Sequence, residues 1–486
     1  MSLNLYGQFH ERALCQGDAP AVIGPVKGQV RTYGELDYAI RAMSDKLLSL
    51  GVGPGQCVGL HVASSPQYIV ATYAIWRCGA CVAPIPVELT ACEKVEICRC
   101  LALDFVVTSE RSTGVWPKFQ AAKSEPLGDG IAIAQLYSEQ QHPPGFADIN
   151  AAFIRFTSGT TGASKGVVLS HESIDERIRA ANEVLNIGSA DRVLWVLSMS
   201  YHFTVSIVGY LAQGAAIVLP ANHFAAAMSQ AMLEHRATVL YASPLHFSLL
   251  ADDRQGKNIP SLRLAISTTG PLEGGVAARF HERYGQPVAQ ALGIIEAGLP
   301  FIHVNPTPER WSSVGRVLPA YELKLVDIGL GNNLGEVLIR GPGFLDAYYA
   351  PFRSRQEIMD DGWFRTGDVG HLDEAGYLFL RGRSKDVINI MGMKFFPQEV
   401  ERVLMTHPHV QAAAVFAGSN GHWGEMVQAR IVLKDCDHTT ELERQLKQHC
   451  RKQLASFKVP QSFEFVAALP QTASGKILHR AVSRAG

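Results

Sequence analysis

The stretch Phe156-Thr157-Ser158-Gly159-Thr160-Thr161-Gly162-Ala163-Ser164-Lys165-Gly166 carries three glycines, a run of hydroxyl side chains and one lysine within eleven residues. Glycine permits tight turns and lets a ligand approach the backbone closely. Hydroxyls and free backbone N–H groups can wrap around anionic oxygens, and Lys165 adds a point charge. The natural functional reading is a loop that cradles phosphate. It is not a Walker A loop, because Lys165 is followed by Gly166 and no Gly-Lys-Ser/Thr is present. Taken alone, such a stretch is more often an ordinary flexible turn, so the remainder of the chain has to decide.

Working outward, the pattern is one of helices alternating with short apolar runs. Thr32-Tyr33-Gly34-Glu35 has capping-box spacing and opens a helix with Leu36, Ile40, Met43, Leu47 and Leu50 at helical intervals, with Gly51 as its terminator. Val58–Val62, Val193–Leu197, Ala215–Leu219, Thr238–Ala242 and Leu264–Ser267 read as buried strands, with stretches of helical length between several of them. The bulk of the chain is therefore expected to be α/β. After about residue 310 short strands and turns dominate, and after Arg383 the pattern changes again. Pro397 suits a first helical position, Ala412–Ala417 and Val427–Leu433 read as strands, and Thr440–Glu443 opens a helix with Leu442, Leu446, Cys450 and Leu454 inward. Phe463–Val466 is a last strand. The expected organisation is a large N-terminal region with buried sheets, residues 1–384, and a small, mobile α+β domain, residues 385–486. There is no internal repeat and no low-complexity tract.

Composition narrows the function. Lys and Arg total 44 against 45 Asp and Glu, so the overall charge does not favour a nucleic-acid partner. No eighteen-residue apolar run exists; the longest, from Tyr68, is cut by Arg77 and Gly79, so no transmembrane segment is expected. The first residues lack a basic region followed by an apolar stretch, and no secretory signal is expected. Of nine cysteines, seven lie in the first hundred residues. Cys78, Cys81, Cys92, Cys98 and Cys100 could be read as a zinc cluster. The stronger reading is structural: Cys78 and Cys81 sit in an apolar helix end and strand, and Cys98 and Cys100 are poorly spaced for one tetrahedral site. An odd count suggests reduced thiols and a cytoplasmic location.

Four further segments follow the first in order. They are Leu292-Gly293-Ile294-Ile295-Glu296, Thr366-Gly367-Asp368, Gly382-Arg383-Ser384-Lys385-Asp386 with Gly392 and Pro397-Gln398-Glu399 behind it, and Pro470 to Arg480 around Ser474-Gly475-Lys476. Together with the first, they resemble the signatures of the adenylate-forming superfamily of acyl-CoA synthetases, peptide-synthetase adenylation domains and firefly luciferase. That resemblance covers residues 156–480. It implies two steps: a carboxylic acid attacks the α-phosphorus of ATP to give an acyl adenylate and pyrophosphate, and a thiol then attacks the adenylate. A carboxylate is a poor electrophile and repels the triphosphate, so the site must supply positive charge and positioning.

The resemblance assigns roles residue by residue. Thr157, Ser158, Gly159, Thr160, Thr161, Gly162 and Lys165 would hold phosphate. Lys476 would bridge the attacking carboxylate and the phosphate, and its flanking Ser474 and Gly475 suit a mobile loop. Glu296 would hold Mg2+, which favours carboxylate and phosphate oxygens. Asp368 would accept both ribose hydroxyls, and Arg383 would donate on the ribose or phosphate side. Gly270 and Pro271, following Thr269, resemble the backbone strip beside adenine, together with Leu292 and Gly293. Lys385 resembles the hinge about which the small domain swings, and Gly392 the region presented to the thiol arm. Two positions depart from the family. Leu292 stands where tyrosine is usual and offers no aromatic face; Ile295 stands where threonine is usual and offers no hydroxyl.

The acid and its acceptor are less constrained. No Asp or Glu lies between Asp191 and Glu234, where amino-acid-activating relatives carry an acidic group for the ammonium. His202 resembles the histidine placed beside the carboxylate in acyl and aryl acid ligases. Val205–Gly214 is rich in aliphatic and small residues, which favours a fatty or aryl acid. The acceptor is expected to be coenzyme A; the phosphopantetheine arm of an acyl or peptidyl carrier protein ends in the same thiol and stays open. Two other readings are a non-catalytic nucleotide-binding relative, motivated by Leu292 and Ile295, and a P-loop phosphotransferase, which would yield ADP rather than AMP.

Overall fold

The capping box at Thr32 forms as its spacing requires. Thr32 Oγ1 accepts from Glu35 N at 3.2 Å and Glu35 Oε2 accepts from Thr32 N at 2.9 Å. The helix they open, Tyr33–Ser49, buries Leu36, Ile40, Met43 and Leu47. Leu50 caps it and lies at the surface, one step past the buried stripe, and Gly51 takes the left-handed conformation with φ +91°. The computed structural model describes residues 2–25, 29–109, 124–136, 140–157, 165–253, 258–331, 333–390, 393–419, 425–434 and 440–470.

The chain forms two compact units, Met1–Glu322 with Arg340–Phe364, and Leu323–Ile339 with Arg365–Gly486. The first contains two large sheets. One has eight strands in the order Gly298–His303, Val288–Ile294, Leu264–Ser267, Val239–Ala242, Arg192–Trp195, Ala216–Val218, Pro20–Ile23 and Val30–Thr32. Its six inner strands are parallel and both edge strands antiparallel. Inner parallel strands are covered on both faces, which explains their near-continuous apolar runs. Leu194, Leu240, Ala242 and Ala265 share one face, packed against Met228, Met232, Phe247, Val276 and Phe280 of the helices Ala225–Glu234, Pro244–Asp252 and Gly274–Tyr284. Trp195 and Tyr241 pair across the opposite face.

The second sheet has nine strands, in the order Arg353–Ser354, Ala347–Tyr348, Lys165–Ser170, Ala151–Thr157, Cys81–Pro84, Cys57–His61, Phe105–Ser109, Ile131–Gln135 and Glu125–Gly128. Cys57, Cys81 and Cys98 are buried in its apolar core. Cys78 is also buried, as the cap of the helix Pro66–Arg77. These cysteines fill space, as their apolar surroundings in the sequence suggest.

The second unit carries most of a four-stranded sheet, Glu322–Asp327, Gly335–Arg340, Phe364–Leu372 and Leu378–Arg383 in that order. It also contains a hairpin, Ile388–Ile390 with Met393–Phe395, and a three-stranded sheet, Val410–Ser419, Glu425–Leu433 and Ser462–Phe465. The helices Pro397–Met405 and Thr440–Gln453 bury Val400 and Leu404, and Leu442, Leu446 and Cys450, in one core with Val415, Val427 and Ile431. The expected class, a large α/β region with buried sheets and a smaller α+β region, is the one observed. Among the described residues no helix is long and apolar enough to cross a membrane.

Candidate active site

Glu296 sits in the tight connection between the antiparallel strands Val288–Ile294 and Gly298–His303. That connection is held from behind by Arg177 of the helix His171–Leu185, one of the most deeply buried side chains of the chain. Arg177 Nη1 donates to Ile295 O at 2.9 Å, Nη2 to Glu296 O at 3.4 Å, and Nε to Gly343 O at 2.9 Å. Leu345 N also donates to Glu296 O, at 2.7 Å. Burial lowers the Arg177 pKa to about 10, so the guanidinium stays charged at neutral pH. The price of that buried charge is met by carbonyl dipoles. Gly343 has φ +69°, and a Cβ there would lie 2.7 Å from Arg177 N and Cβ, so only glycine fits against the arginine.

The Glu296 side chain meets Tyr348, whose hydroxyl donates to Oε1 at 3.1 Å. Lys165 Nζ lies over the same tyrosine, 4.6 Å from the ring centroid. One tyrosine thus touches both the lysine of the expected phosphate loop and the carboxylate expected to hold a metal. Burial, and next the Glu296 charge, raise the Tyr348 pKa, so its hydroxyl remains a donor. Sheet pairing places it there: Tyr348 lies opposite Val167. In the neighbouring pair Thr157 lies opposite Lys165, which fixes the two stems of the loop. Tyr349 N donates to Gly166 O at 2.7 Å, and a Cβ on Gly166 would approach Tyr349 Cβ and Phe156 to 2.9 Å. Ser158, Gly159, Thr160, Thr161 and Gly162 lie outside the described residues, as do Gly392 and Lys476.

His202 ends the short helix Met199–His202. Its ring centroid is 6.3 Å from that of Trp195 and 6.2 Å from that of Tyr241, which stack on one another at 5.2 Å. Tyr210 packs edge-on against both, at 6.4 and 6.2 Å. Burial, and next the positive charge of Arg155, lower the His202 pKa to about 3. At neutral pH His202 is therefore an uncharged imidazole. Arg155 Nη1 donates to Tyr201 O at 2.7 Å, and its guanidinium lies 5.0 Å from the Tyr201 ring centroid.

The remaining positions of the first unit lie on the eight-stranded sheet or next to it. Gly270 and Pro271 are exposed just past the strand Leu264–Ser267, following Thr269 with its unusual φ of +77°. Leu292 is half-buried and Gly293 exposed at a bulge in the strand Val288–Ile294. Ile295 contributes its carbonyl, held by Arg177, rather than a side-chain hydroxyl.

In the second unit, Asp368 and Arg383 are cross-strand partners in register, and Arg383 Nε lies 2.8 Å from Asp368 Oδ1. Asp368 N donates to Thr366 Oγ1 at 3.0 Å, and Thr366 Oγ1 donates to Val337 O at 2.8 Å, which holds the aspartate's backbone. Lys385 is exposed in the single 3₁₀ turn Ser384–Asp386.

Two predictions follow from this packing. Replacing Arg177 by Met takes its donor from the carbonyls of Ile295 and Gly343, leaves Glu296 O with Leu345 N alone, and is expected to lower the unfolding free energy by about 3 kcal/mol. Arg177→Lys should not rescue it, because one ammonium cannot reproduce the planar fork; urea unfolding of the two variants reads both. The second concerns pH. Burial holds His202 at about 3 and His171 and His246 at about 4. Each must take up a proton on unfolding once the pH falls below the unfolded value of about 6.5. Stability is thus full above that pH and falls as pH drops towards 4, by about 4 kcal/mol per pH unit for the three together. Removing one acceptor, by His171→Asn, should flatten this slope by about one third in unfolding experiments across that range.

Comparison with known proteins places the chain. The profile of the AMP-binding enzyme family matches residues 9–349, and that of the AMP-binding enzyme C-terminal domain matches residues 399–476. The chain is 28% identical to a sulfoacetate–CoA ligase of Cupriavidus necator, covering 96% of this chain and 94% of that protein. It is 30% identical to the probable CoA ligase CCL9 of Humulus lupulus, covering 99% and 96%. Its fold superposes with a TM-score of 0.83 on the o-succinylbenzoate CoA synthetase of Bacillus subtilis in complex with its acyl-adenylate intermediate, at 23% identity over 100% of this chain and 99% of that one. The chain belongs to the AMP-binding enzyme family, within the adenylate-forming superfamily.

Proposed function

We propose that this protein is an AMP-forming acid–thiol ligase that activates a carboxylic acid with ATP and passes the acyl group to coenzyme A. The observation that carries the reading is the convergence of Lys165 and Glu296 on Tyr348. It brings a cation for phosphate and a carboxylate for a metal to one tyrosine, in a chain whose relatives are acid–CoA ligases. In the first step a carboxylate oxygen of the acid bonds to the α-phosphorus and pyrophosphate leaves. In the second the thiolate sulfur bonds to the acyl carbon and AMP leaves with the carboxylate oxygen.

The assigned roles follow. Thr157 to Gly162 and Lys165 hold phosphate. Glu296 suits Mg2+, since one carboxylate oxygen is engaged by Tyr348 and the described residues give the other no hydrogen bond. When bound, the ion supplies charge neutralisation on the phosphates. Asp368, oriented by Arg383, accepts from the ribose hydroxyls. Gly270, Pro271, Leu292 and Gly293 flank the adenine. His202, kept neutral by burial, lies beside the acid's carboxylate and donates a hydrogen bond without adding a competing charge. Lys476 supplies the positive charge of adenylation, Lys385 is the pivot at the 384/385 boundary, and Gly392 belongs to the thiol's approach.

The aromatic wall of Trp195, Tyr210 and Tyr241 beside the apolar run to Gly214 supports an acid with an apolar body, fatty or aryl. A carrier-protein phosphopantetheine arm is the alternative acceptor. Unbridged thiols at the described cysteines support a cytoplasmic setting.

Lys476→Ala separates the two steps. The variant is expected to lose acid-dependent ATP–pyrophosphate exchange by about a hundredfold or more. It should still form the thioester when given a synthetic acyl adenylate and coenzyme A. Equal loss of both steps would contradict the assignment.

A further inference from the structure

Arg155 is a cation that neither the fold nor the reaction as described uses. It lies on the strand Ala151–Thr157, two residues before the end of that strand. Its neighbours Ile154 and Phe156 belong to the apolar core under the nine-stranded sheet, so the alternation of the strand sends Arg155 to the other face. There it meets Tyr201 by one hydrogen bond to the carbonyl and by its ring face. Its Nε is shut off from solvent and meets no acceptor among the described residues. No carboxylate of the described residues forms an ion pair with it. Glu296 is the one carboxylate whose charge reaches it.

A guanidinium in such surroundings is costly unless an anion compensates it. Arg177 shows what a purely structural buried arginine looks like in this chain, with all three of its nitrogens on carbonyls. Arg155 lacks that satisfaction. Its charge acts on His202, the residue assigned to the acid's carboxylate. Tyr210, packed against the same Trp195 and Tyr241 as His202, carries a second buried polar group, a hydroxyl with no partner among the described residues. Arg155 Nε and the Tyr210 hydroxyl are buried donors that a purely hydrocarbon acid would leave unpaired.

We infer that Arg155 is a specificity-determining residue that binds a second anionic group on the acid, so that the preferred substrates carry, besides an apolar body, a further carboxylate or sulfonate. This rests on the reading of the protein as an acid-activating enzyme. The carboxylate that reacts stays with His202, and the second anion takes the fork of Arg155, whose planar geometry suits carboxylate and sulfonate alike. The alternative user of the charge is the ATP phosphate chain. The strand alternation and the hydrogen bond to Tyr201 favour the acid.

The test is ATP–pyrophosphate exchange with pairs of acids matched in their bodies: succinate against butyrate, sulfoacetate against propionate, and phthalate against benzoate. For the unaltered protein, kcat/KM for at least one acid with two anionic groups is expected to exceed that of its partner at least tenfold. In Arg155→Gln that ratio should fall to about one, and Arg155→Lys should restore part of it. The first comparison needs no variant, so it stands even if Arg155→Gln does not fold. A preference for the monoanions in the unaltered protein would overturn the inference. So would a ratio that Arg155→Gln leaves intact, including the case in which the KM for ATP rises instead. Exchange with monoanions alone leaves the ligase reading standing. Exchange with no acid at all overturns both.

Discussion

A single buried guanidinium sets the geometry on which the first unit's site depends. Arg177 joins a helix, the turn that bears Glu296 and the segment around Gly343, through the carbonyls of Ile295, Glu296 and Gly343. The fork is planar, so it fixes direction as well as distance. The turn is thereby held from its backbone side, leaving the Glu296 carboxylate to face Tyr348. The same requirement explains Gly343, where any side chain would collide with the arginine.

Around that frame the site manages charge by burial and by shared partners. Tyr348 keeps its proton because it is buried beside a carboxylate, and so serves as donor to Glu296 and as a π face for Lys165. His202 is kept neutral by its burial, with the nearby Arg155 adding to the effect. With His202 uncharged, the positive charges of Arg155 and Lys165 are fixed ones, which suits the proposed reaction, in which two anions must be brought together. In the second unit Asp368 is oriented the same way, by a cross-strand arginine and a backbone tied down through Thr366.

Much of this was legible in the sequence. The strands Leu264–Ser267 and Val239–Ala242 and the capped helix at Thr32 follow from local pattern, because buried parallel strands and capping boxes leave composition signatures. The Leu50 position was not, since a stripe's last member and a cap residue look alike until the helix end is known. Five motifs marked the chemistry, but Tyr348, Arg177 and Arg155 carried no motif. Arg177 did leave a trace: a charged residue on the apolar stripe of Ile174, Ile178, Ala181 and Leu185. Such a residue is buried and needs partners, yet its partners at Ile295 and Gly343 are set by tertiary packing over more than a hundred residues. Tyr348 likewise reaches Glu296 only because a two-residue strand pairs with Lys165–Ser170.

The claim at the centre is that the acid's own oxygen attacks the α-phosphorus. It is tested most directly by supplying an accepted acid with its carboxylate labelled with oxygen-18, together with ATP and coenzyme A, and weighing the products. One labelled oxygen in AMP, with none in pyrophosphate, is the predicted result. Label in inorganic phosphate with ADP as the nucleotide product would mean attack at the γ-phosphorus and would contradict the account.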